Sequence, residues 1–279
     1  MINTEGKLVI SYSALAAFKN CPKSYEIEYE WMRESKHVNE AVKKGSLFHR
    51  YMEWVAKNTN SVNRLNPFPE DEGAKMYHIV LDYLEHKWLP DNIMAVEESL
   101  YWEILPDVLF RVTPDMIYNK NGGIICRDWK TFGKKPCMDI HISDQARFYI
   151  VVLEALYGVP VEFEFVYVRS ERVGVLRPRS PAWTTQDSYF TVPYSLSPLQ
   201  KERTKQDLIE SIMSLLQTKV TNSWYRTGRM GWGVAACTGC FQRPLCNEEW
   251  EHGFVSPERL EALSSTREPL APMDDYDIH

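Results

Sequence analysis

A five-residue segment, Asn119-Lys120-Asn121-Gly122-Gly123, lies between two apolar runs at 108–118 and 124–131. Asn-Gly favours a tight β-turn, because both residues reach positive φ at low cost. The sequence therefore predicts an antiparallel hairpin. Since side chains alternate between the two faces of a strand, the turn also fixes which side chains of the hairpin share a face.

Acidic and basic side chains converge on one face of this hairpin. Asp128 and Lys130 point the same way, and Asp115 lies opposite Arg127 or Asp128 if the turn centres near Asn121. Two close carboxylates repel each other, and a hard divalent cation removes that conflict. Bound Mg²⁺ or Mn²⁺ would activate a phosphodiester and a water, while Lys130 would orient the water or stabilise charge on phosphorus. The alternative is a solvated hairpin face with an ordinary Asp–Lys pair.

Helical patterns surround the hairpin and predict an α/β protein. Apolar residues recur every three or four positions over 41–56, 73–88 and 139–157, and a long helix follows Ser197. A strongly alternating strand is predicted at 161–169.

The length and composition of the chain suit one large core. It has 279 residues, of which 44% are hydrophobic. We predict a single domain over 1–263, followed by a flexible tail at 264–279. Within the domain we expect a helical part at about 8–96, a catalytic core at about 97–193, and a C-terminal helix with a cysteine cluster at about 194–250.

The net charge of -6 argues against a protein that coats nucleic acid nonspecifically. It is compatible with a metal site, because such a site collects carboxylates. No segment approaches the roughly 20 apolar residues that span a bilayer, and no signal peptide is apparent. We expect a cytoplasmic protein whose six cysteines are reduced, buried or metal-bound.

Three cysteines lie close together near the C-terminus. Cys237, Cys240 and Cys246 form a C-x2-C-x5-C pattern, and Cys21 is a distant fourth candidate. Four thiolates hold either zinc or an iron–sulfur cluster. A zinc ribbon built from the C-terminal cysteines alone is a further alternative, with His252 as a fourth ligand at an unusual spacing. The residues themselves leave these alternatives open.

Four motifs, in sequence order, resemble those of the RecB-like branch of the PD-(D/E)XK nucleases. The segment Gly45-Ser46-Leu47-Phe48-His49 is similar to its Gly-x-x-x-His motif, and Gln145 with Tyr149 to its Gln-x-x-x-Tyr motif. Pro114-Asp115 and Asp128-Trp129-Lys130 match its core. The resemblance implies a restriction-endonuclease-like fold with a mixed central β-sheet flanked by helices.

The resemblance also implies roles for individual residues. The metal ligands, for Mg²⁺ or Mn²⁺, would be His49, Asp115, Asp128 and the backbone carbonyl of Trp129. Lys130 would be the catalytic lysine. Gln145 and Tyr149, four residues apart on one helix face, would position Lys130 or the DNA backbone.

Iron–sulfur exonucleases of this branch, the CRISPR-associated and AddB-type enzymes, resemble the chain most fully. They have an N-terminal Ser-x-Ser…Cys-Pro…Tyr segment and three C-terminal cysteines. The matching residues here are Ser11, Ser13, Cys21, Pro22 and Tyr25, then Cys237, Cys240 and Cys246. The resemblance implies a 4Fe-4S cluster that joins the N- and C-terminal segments, so that binding the cluster contributes folding energy.

The function expected from this resemblance is metal-dependent hydrolysis of DNA. We expect an exonuclease that acts on single-stranded DNA or DNA ends, in the 5′-to-3′ direction. The implied setting is DNA recombination or repair, or CRISPR spacer acquisition, in the cytosol of a bacterium, an archaeon or a phage-infected host. Expected partners are DNA, a recombination or CRISPR-adaptation protein and a second copy of the chain, with no membrane.

Two other functions are compatible with the same residues. The first is a DNA-end-binding adaptor of the same fold with little cleavage activity, against which the complete set of Asp115, Asp128 and Lys130 speaks. The second is an RNA nuclease or a zinc-containing sequence-specific endonuclease. Basic clusters, two of which lie beside aromatic residues, suit single-stranded DNA, although solvated faces and core aromatics are their plainer explanation. They lie at 43–44, 169–189, 201–205 and 224–232.

Overall fold

The computed structural model describes residues 6–35, 40–57, 79–81, 83–84, 89–132, 143–169, 189–227, 237, 240 and 242–266. Two compact units emerge, each built from segments that are distant in sequence. The central unit contains residues 39–100 and 112–204, and the terminal unit contains residues 1–38, 101–111 and 205–279. The segment 101–111, predicted as part of the catalytic core, thus belongs to the terminal unit.

The described strands are, in chain order, β1 (Leu8–Ser11), β2 (Arg33–Ser35), β3 (Ile93–Val96), β4 (Leu100–Leu105), β5 (Val108–Val112), β6 (Met116–Lys120), β7 (Gly123–Phe132), β8 (Val161–Arg169), β9 (Tyr189–Tyr194) and β10 (Ser264–Thr266). The described helices are α1 (Tyr12–Asn20), α2 (Pro22–Tyr25), α3 (Glu40–Lys57), α4 (Asp144–Tyr157), α5 (Pro198–Thr221), α6 (Arg243–His252) and α7 (Pro257–Leu263). A π-helical turn, Glu26–Glu30, follows α2.

A five-stranded mixed sheet organises the central unit, in the order β3-β6-β7-β8-β9. Strands β7 and β8 are parallel and are connected through α4, whereas the other neighbouring pairs are antiparallel. Helix α3 packs against β7, and α4 packs against β8. The predicted mixed central sheet flanked by helices is confirmed.

The β6–β7 hairpin has the predicted tight turn. Asn121 and Gly122 occupy its centre with φ of 53° and 80°, as a type I′ turn requires. Met116 pairs with Arg127, so Asp115 lies one step further along, opposite Asp128. The run 108–118, predicted as one strand, is instead divided into β5 and β6, because Pro114 between them has no N–H for a strand ladder.

The two faces of the central sheet are covered differently. Trp129 is buried among side chains of α3, including Phe48, Tyr51 and Met52, and its indole N–H donates to the Tyr83 hydroxyl at 3.2 Å. Side chains alternate along β7, so Asp128 and Lys130 lie on the opposite face. Helix α4 covers part of that opposite face.

The terminal unit contains two smaller sheets, in the orders β1-β5-β4 and β10-β2. Strand β10 begins the segment predicted as a flexible tail, but Ser264 is fully buried and pairs with Ser35. Residues 267–279 of that tail lie outside the described residues. None of the described helices is long and apolar enough to cross a membrane.

Candidate active site

Helix α3 presents His49 to the edge of the central sheet. Gly45, one turn earlier, faces β7 so closely that a Cβ at this position would lie 3.4 Å from Thr131 Oγ1. His49 Nδ1 lies 3.2 Å from Asp115 Oδ1 and 3.5 Å from Glu97 Oε1. The Gly-x-x-x-His segment therefore brings an imidazole to the carboxylate that precedes β6.

His49, Glu97 and Asp115 form the one group among the described residues whose ligand atoms all lie within 4.8 Å of one another. Glu97 was not among the predicted site residues. It follows β3 with a φ of 53°, and its backbone N–H donates to the Asp115 carbonyl at 3.2 Å. An acidic residue directly after a strand was the only available sequence signal, because the pairing of β3 with β6 is what brings Glu97 to Asp115.

Asp128 and Lys130 form a second part of the site, joined by Gln145. Lys130 Nζ lies 2.5 Å from Asp128 Oδ1 and donates to Gln145 Oε1 at 3.1 Å. The Gln145 amide N–H in turn donates to Asp128 Oδ2. Gln145 lies in the first turn of α4, which Ser143 caps, so the start of this helix holds the side chains of Asp128 and Lys130.

Trp129 and Tyr149 support the site through the backbone. The Trp129 N–H donates to Asp115 Oδ2 at 2.6 Å, which ties the two strands of the hairpin together at the carboxylates. The Tyr149 hydroxyl donates to the Thr113 carbonyl at 3.3 Å, two residues before Asp115. The structure thus places Gln145 on Lys130 and Tyr149 on the backbone between β5 and β6.

Burial and the negative charge of the carboxylates shift the pKa values of Asp115 and His49. Burial and the nearby Asp128 charge raise the pKa of Asp115 above its usual range, and His49 only partly offsets them. Burial lowers the pKa of His49, but the hydrogen bond to Asp115, together with Glu97 and Asp128, raises it well above the ordinary value. A proton bound by His49 therefore supplies part of the positive charge that a metal ion would bring.

A hard divalent cation fits these donors. Asp115 and Asp128 are 6% and 2% exposed, so their negative charge is poorly solvated. Asp128 Oδ1 is buried, and the Lys130 ammonium lies 2.5 Å from it. Carboxylate oxygens of this kind are the ligands that Mg²⁺ and Mn²⁺ prefer.

The sequence profile of the PD-(D/E)XK nuclease superfamily matches residues 9–247. The chain belongs to the PD-(D/E)XK nuclease superfamily. The matched segment contains every site residue described above. Among curated proteins, none matches the sequence.

One solved structure shows the same fold at low identity, and a second gives a weaker match. A crystal structure of a protein from Eubacterium rectale, whose description as an exonuclease is provisional, covers 84% of this chain and 93% of its own. Its sequence identity is 11% and its TM-score is 0.54. The structure of SSO0001 covers 84% of this chain and 83% of its own, with 14% identity and a TM-score of 0.39.

The four predicted cluster cysteines all belong to the terminal unit and are half-buried. Cys21 Sγ lies 3.9 Å from the Tyr225 carbonyl, and the next residue, Arg226, donates from Nε to Cys246 Sγ at 3.2 Å. Burial, then Cys21 and Cys237, raise the pKa of Cys240.

The cysteine thiols are thus neighbours, but they do not form a compact ligand group. Within the described part of the chain, no three cysteine sulfurs all lie within 4.8 Å of one another, as the ligand atoms of His49, Glu97 and Asp115 do. The structure therefore does not show the predicted 4Fe-4S cluster. Of the predicted DNA-contacting stretches, residues 170–188 and 228–232 lie outside the described residues.

Proposed function

We propose that this protein is a divalent-metal-dependent DNA exonuclease that acts on single-stranded DNA or DNA ends. The observation that carries the proposal is the meeting of two preformed groups on the central sheet. One contains His49, Glu97 and Asp115, and the other contains Asp128, Lys130 and Gln145. Buried carboxylates beside an ammonium suit the hydrolysis of an anionic phosphodiester.

The metal ligands in this proposal are His49, Glu97 and Asp115, with Asp128 beside them. A bound Mg²⁺ or Mn²⁺ supplies Lewis-acid stabilisation of the phosphate oxygens and a more acidic water. The backbone N–H of Trp129 fixes Asp115 in place. The site needs little rearrangement to receive the ion, because its hydrogen bonds already orient the donors.

Lys130 is the electrostatic catalyst of the proposed reaction. Its ammonium group, held by Asp128 and Gln145, stabilises negative charge that develops on the phosphate oxygens. Gln145 keeps Lys130 in position by accepting one N–H while donating to Asp128.

The resemblance to RecB-like exonucleases supports the finer parts of the proposal. These are attack at DNA ends, the 5′-to-3′ direction, and a role in recombination, repair or CRISPR spacer acquisition in the cytosol. The provisional exonuclease description of the Eubacterium rectale protein agrees with an end-directed activity. An adaptor that binds ends without cutting them is the competing proposal.

A 4Fe-4S cluster on Cys21, Cys237, Cys240 and Cys246 is also part of the proposal. Its support is four thiols in one unit, with Cys240 close enough to Cys21 and Cys237 for their charges to interact. A tetrahedral zinc site holds its sulfurs roughly 3.8 Å apart, given Zn–S bonds near 2.3 Å. A multi-iron cluster is larger, so more widely spaced thiols favour it over zinc.

The test is cleavage by protein that has been purified without oxygen. We expect the parent to degrade linear single-stranded DNA with Mn²⁺ or Mg²⁺ and to spare circular single-stranded DNA. Lys130→Ala is expected to be inactive, whereas the control Lys7→Ala, which removes a partner of exposed Glu103, retains full activity. Label at either end reports the direction of cutting, and iron content reports the cluster.

Two results would overturn the proposal. If the parent binds DNA ends but neither metal supports cleavage, the protein is the adaptor. If circular DNA is cut as fast as linear DNA, the exonuclease assignment is wrong.

A further inference from the structure

Three aromatic side chains lie on the Asp128 face of the central sheet, just beyond Lys130. Phe132 follows Lys130 by two residues of β7 and so shares its face. Tyr167 pairs with Lys130, and Phe190 pairs with Tyr167. The Tyr167 and Phe190 rings stack with centroids 4.8 Å apart, and Phe132 meets them edge-on at 6.4 and 5.8 Å. We define Phe132, Tyr167 and Phe190 as the aromatic platform.

Burial distinguishes Phe132 and Phe190 from the core aromatics of the same face, whereas Tyr167 between them is buried. Phe163 and Phe165, further back along β8, are fully buried, and Tyr149 of α4 packs on Phe163. The N-terminal end of α4, one turn before Tyr149, lies at Lys130 through Gln145. Phe132 and Phe190 lie beyond that end and are only half-buried, so part of each ring is accessible beside the catalytic residues.

Positive groups lie at both ends of the platform. Lys130 pairs with Tyr167, and Arg169 pairs with Phe132, across β7 and β8. Side-chain alternation along β8 places Arg169 on the same face as Tyr167. Rings for stacking and cations for phosphates are what proteins use to hold single-stranded nucleic acid.

We propose that the aromatic platform stacks an unpaired base of the nucleotide next to the scissile phosphate, so that the substrate at the active site is a single strand. This inference rests on the proposed nuclease function. In a duplex the faces of the bases are occupied by their neighbours, so a base must leave the helix before it can lie on the platform. The half-buried rings of the platform, Phe132 and Phe190, have no hydrogen-bonding groups, and the platform therefore tolerates all four bases.

The first test separates the flat ring from apolar bulk. Phe132→Leu and Phe190→Leu keep most of the apolar volume but remove the stacking surface, whereas Phe132→Trp keeps a ring. Each leucine variant is expected to raise KM for single-stranded DNA about tenfold, as stacking on an aromatic side chain predicts, with kcat little changed. Phe132→Trp is expected to restore KM. The control is Phe254→Leu, at an exposed phenylalanine of the terminal unit, and thermal melting verifies that all variants fold.

The second test removes the base rather than the ring. An oligonucleotide with abasic sites in its last three nucleotides is expected to bind the parent and Phe132→Leu equally, because it offers no base that either protein could stack. If the leucine substitutions reduce the affinity for intact and abasic DNA equally, or reduce neither affinity, the platform proposal is wrong.

A binding measurement distinguishes failure of this inference from failure of the proposed function. Fluorescence anisotropy with Ca²⁺ reports the affinity of a labelled single strand without cleavage. If the parent does not cut DNA but loses about tenfold in affinity on Phe132→Leu, the platform stands and the nuclease proposal fails. If the parent cuts DNA and the variants bind as the parent does, only the platform proposal fails, and if the parent neither cuts nor binds, both fail.

Discussion

The carboxylate site and the cysteine region contain comparable sets of metal-binding groups, but the protein organises them differently. Around Asp115 and Asp128, the donors are held in place by hydrogen bonds from Trp129 and Gln145. Around Cys21, the contacts are a long one to the Tyr225 carbonyl and the neighbouring thiols. The first site is organised by hydrogen bonds of the polypeptide, whereas the second is completed only by the cluster that we propose.

This difference follows from where the residues lie in the chain. Asp115, Asp128 and Lys130 belong to one hairpin, whose turn sets their register. The cysteines come from residue 21 and from residues 237–246, which only the folded terminal unit brings together. A site formed from distant segments gains more from a bound cofactor, because the cofactor replaces chain entropy that local structure has not removed.

The largest effect is expected from Asp115→Asn. The amide weakens metal binding and the hydrogen bond to His49, so we expect cleavage to fall at least about 1,000-fold, comparable to or greater than the loss of one electrostatic catalyst. The unfolding temperature is expected to change little, because the variant removes one of two mutually repelling buried carboxylates. Cleavage rates, Mn²⁺ titration calorimetry and thermal melting measure the three quantities.

The matched control is Glu103→Gln, at a carboxylate paired with Lys7 on the surface. It is expected to leave activity, metal affinity and stability unchanged. An Asp115→Asn protein that cleaves DNA at the parent rate would show that this carboxylate is not a ligand, and the comparison of the two regions would then have no catalytic meaning.

Cys21→Ser tests the other region and is expected to act on stability first. Loss of a ligand that closes a loop of about 200 residues removes roughly 5 kcal/mol, by analogy with a disulfide of that span. At this size the loss corresponds to a fall in melting temperature of roughly 10 °C or more. Iron content is expected to fall with it.

Cys126→Ala is the control for Cys21→Ser, since Cys126 is buried in β7 of the central unit. It is expected to keep its iron while losing some packing energy. If Cys21→Ser retains both iron and melting temperature, Cys21 is not a ligand and the cysteine region is no cofactor site of this kind.

How far the sequence predicts each region depends on the range of its contacts. The Asn121-Gly122 turn sets the register locally, so the residue pattern alone predicts that Asp115 and Asp128 lie close together across the hairpin. Glu97 could not be found, because its position depends on the pairing of β3 with β6. Pro114 marks the division of 108–118 into two strands, but the hairpin pattern could not show that β5 pairs instead with β1 near the N-terminus.

Gln145→Ala is expected to have an intermediate effect, confined to the carboxylate site. Without the amide, Lys130 and Asp128 lose the group that bridges them, so we expect kcat to fall about 10- to 100-fold, as for other residues that orient a metal site. KM and stability are expected to change little. The control is Gln206→Ala, which removes an exposed helical pair with Glu210. A change in KM or stability instead would mean that Gln145 acts on substrate binding or on folding.

The smallest effect is expected from Gly45→Ala, in the helix that carries His49. A Cβ there would lie 3.4 Å from Thr131 Oγ1, which is ordinary contact, and alanine favours a helix over glycine by about 0.5–1 kcal/mol. The variant should therefore be slightly more stable in urea unfolding and equally active. Gly122→Ala is expected to lower the stability instead, because at a φ of 80° a side chain costs about 1–2 kcal/mol. If Gly45→Ala instead abolishes cleavage, α3 must approach the strand or the DNA more closely during catalysis, and the carboxylate site is less preorganised than its hydrogen bonds indicate.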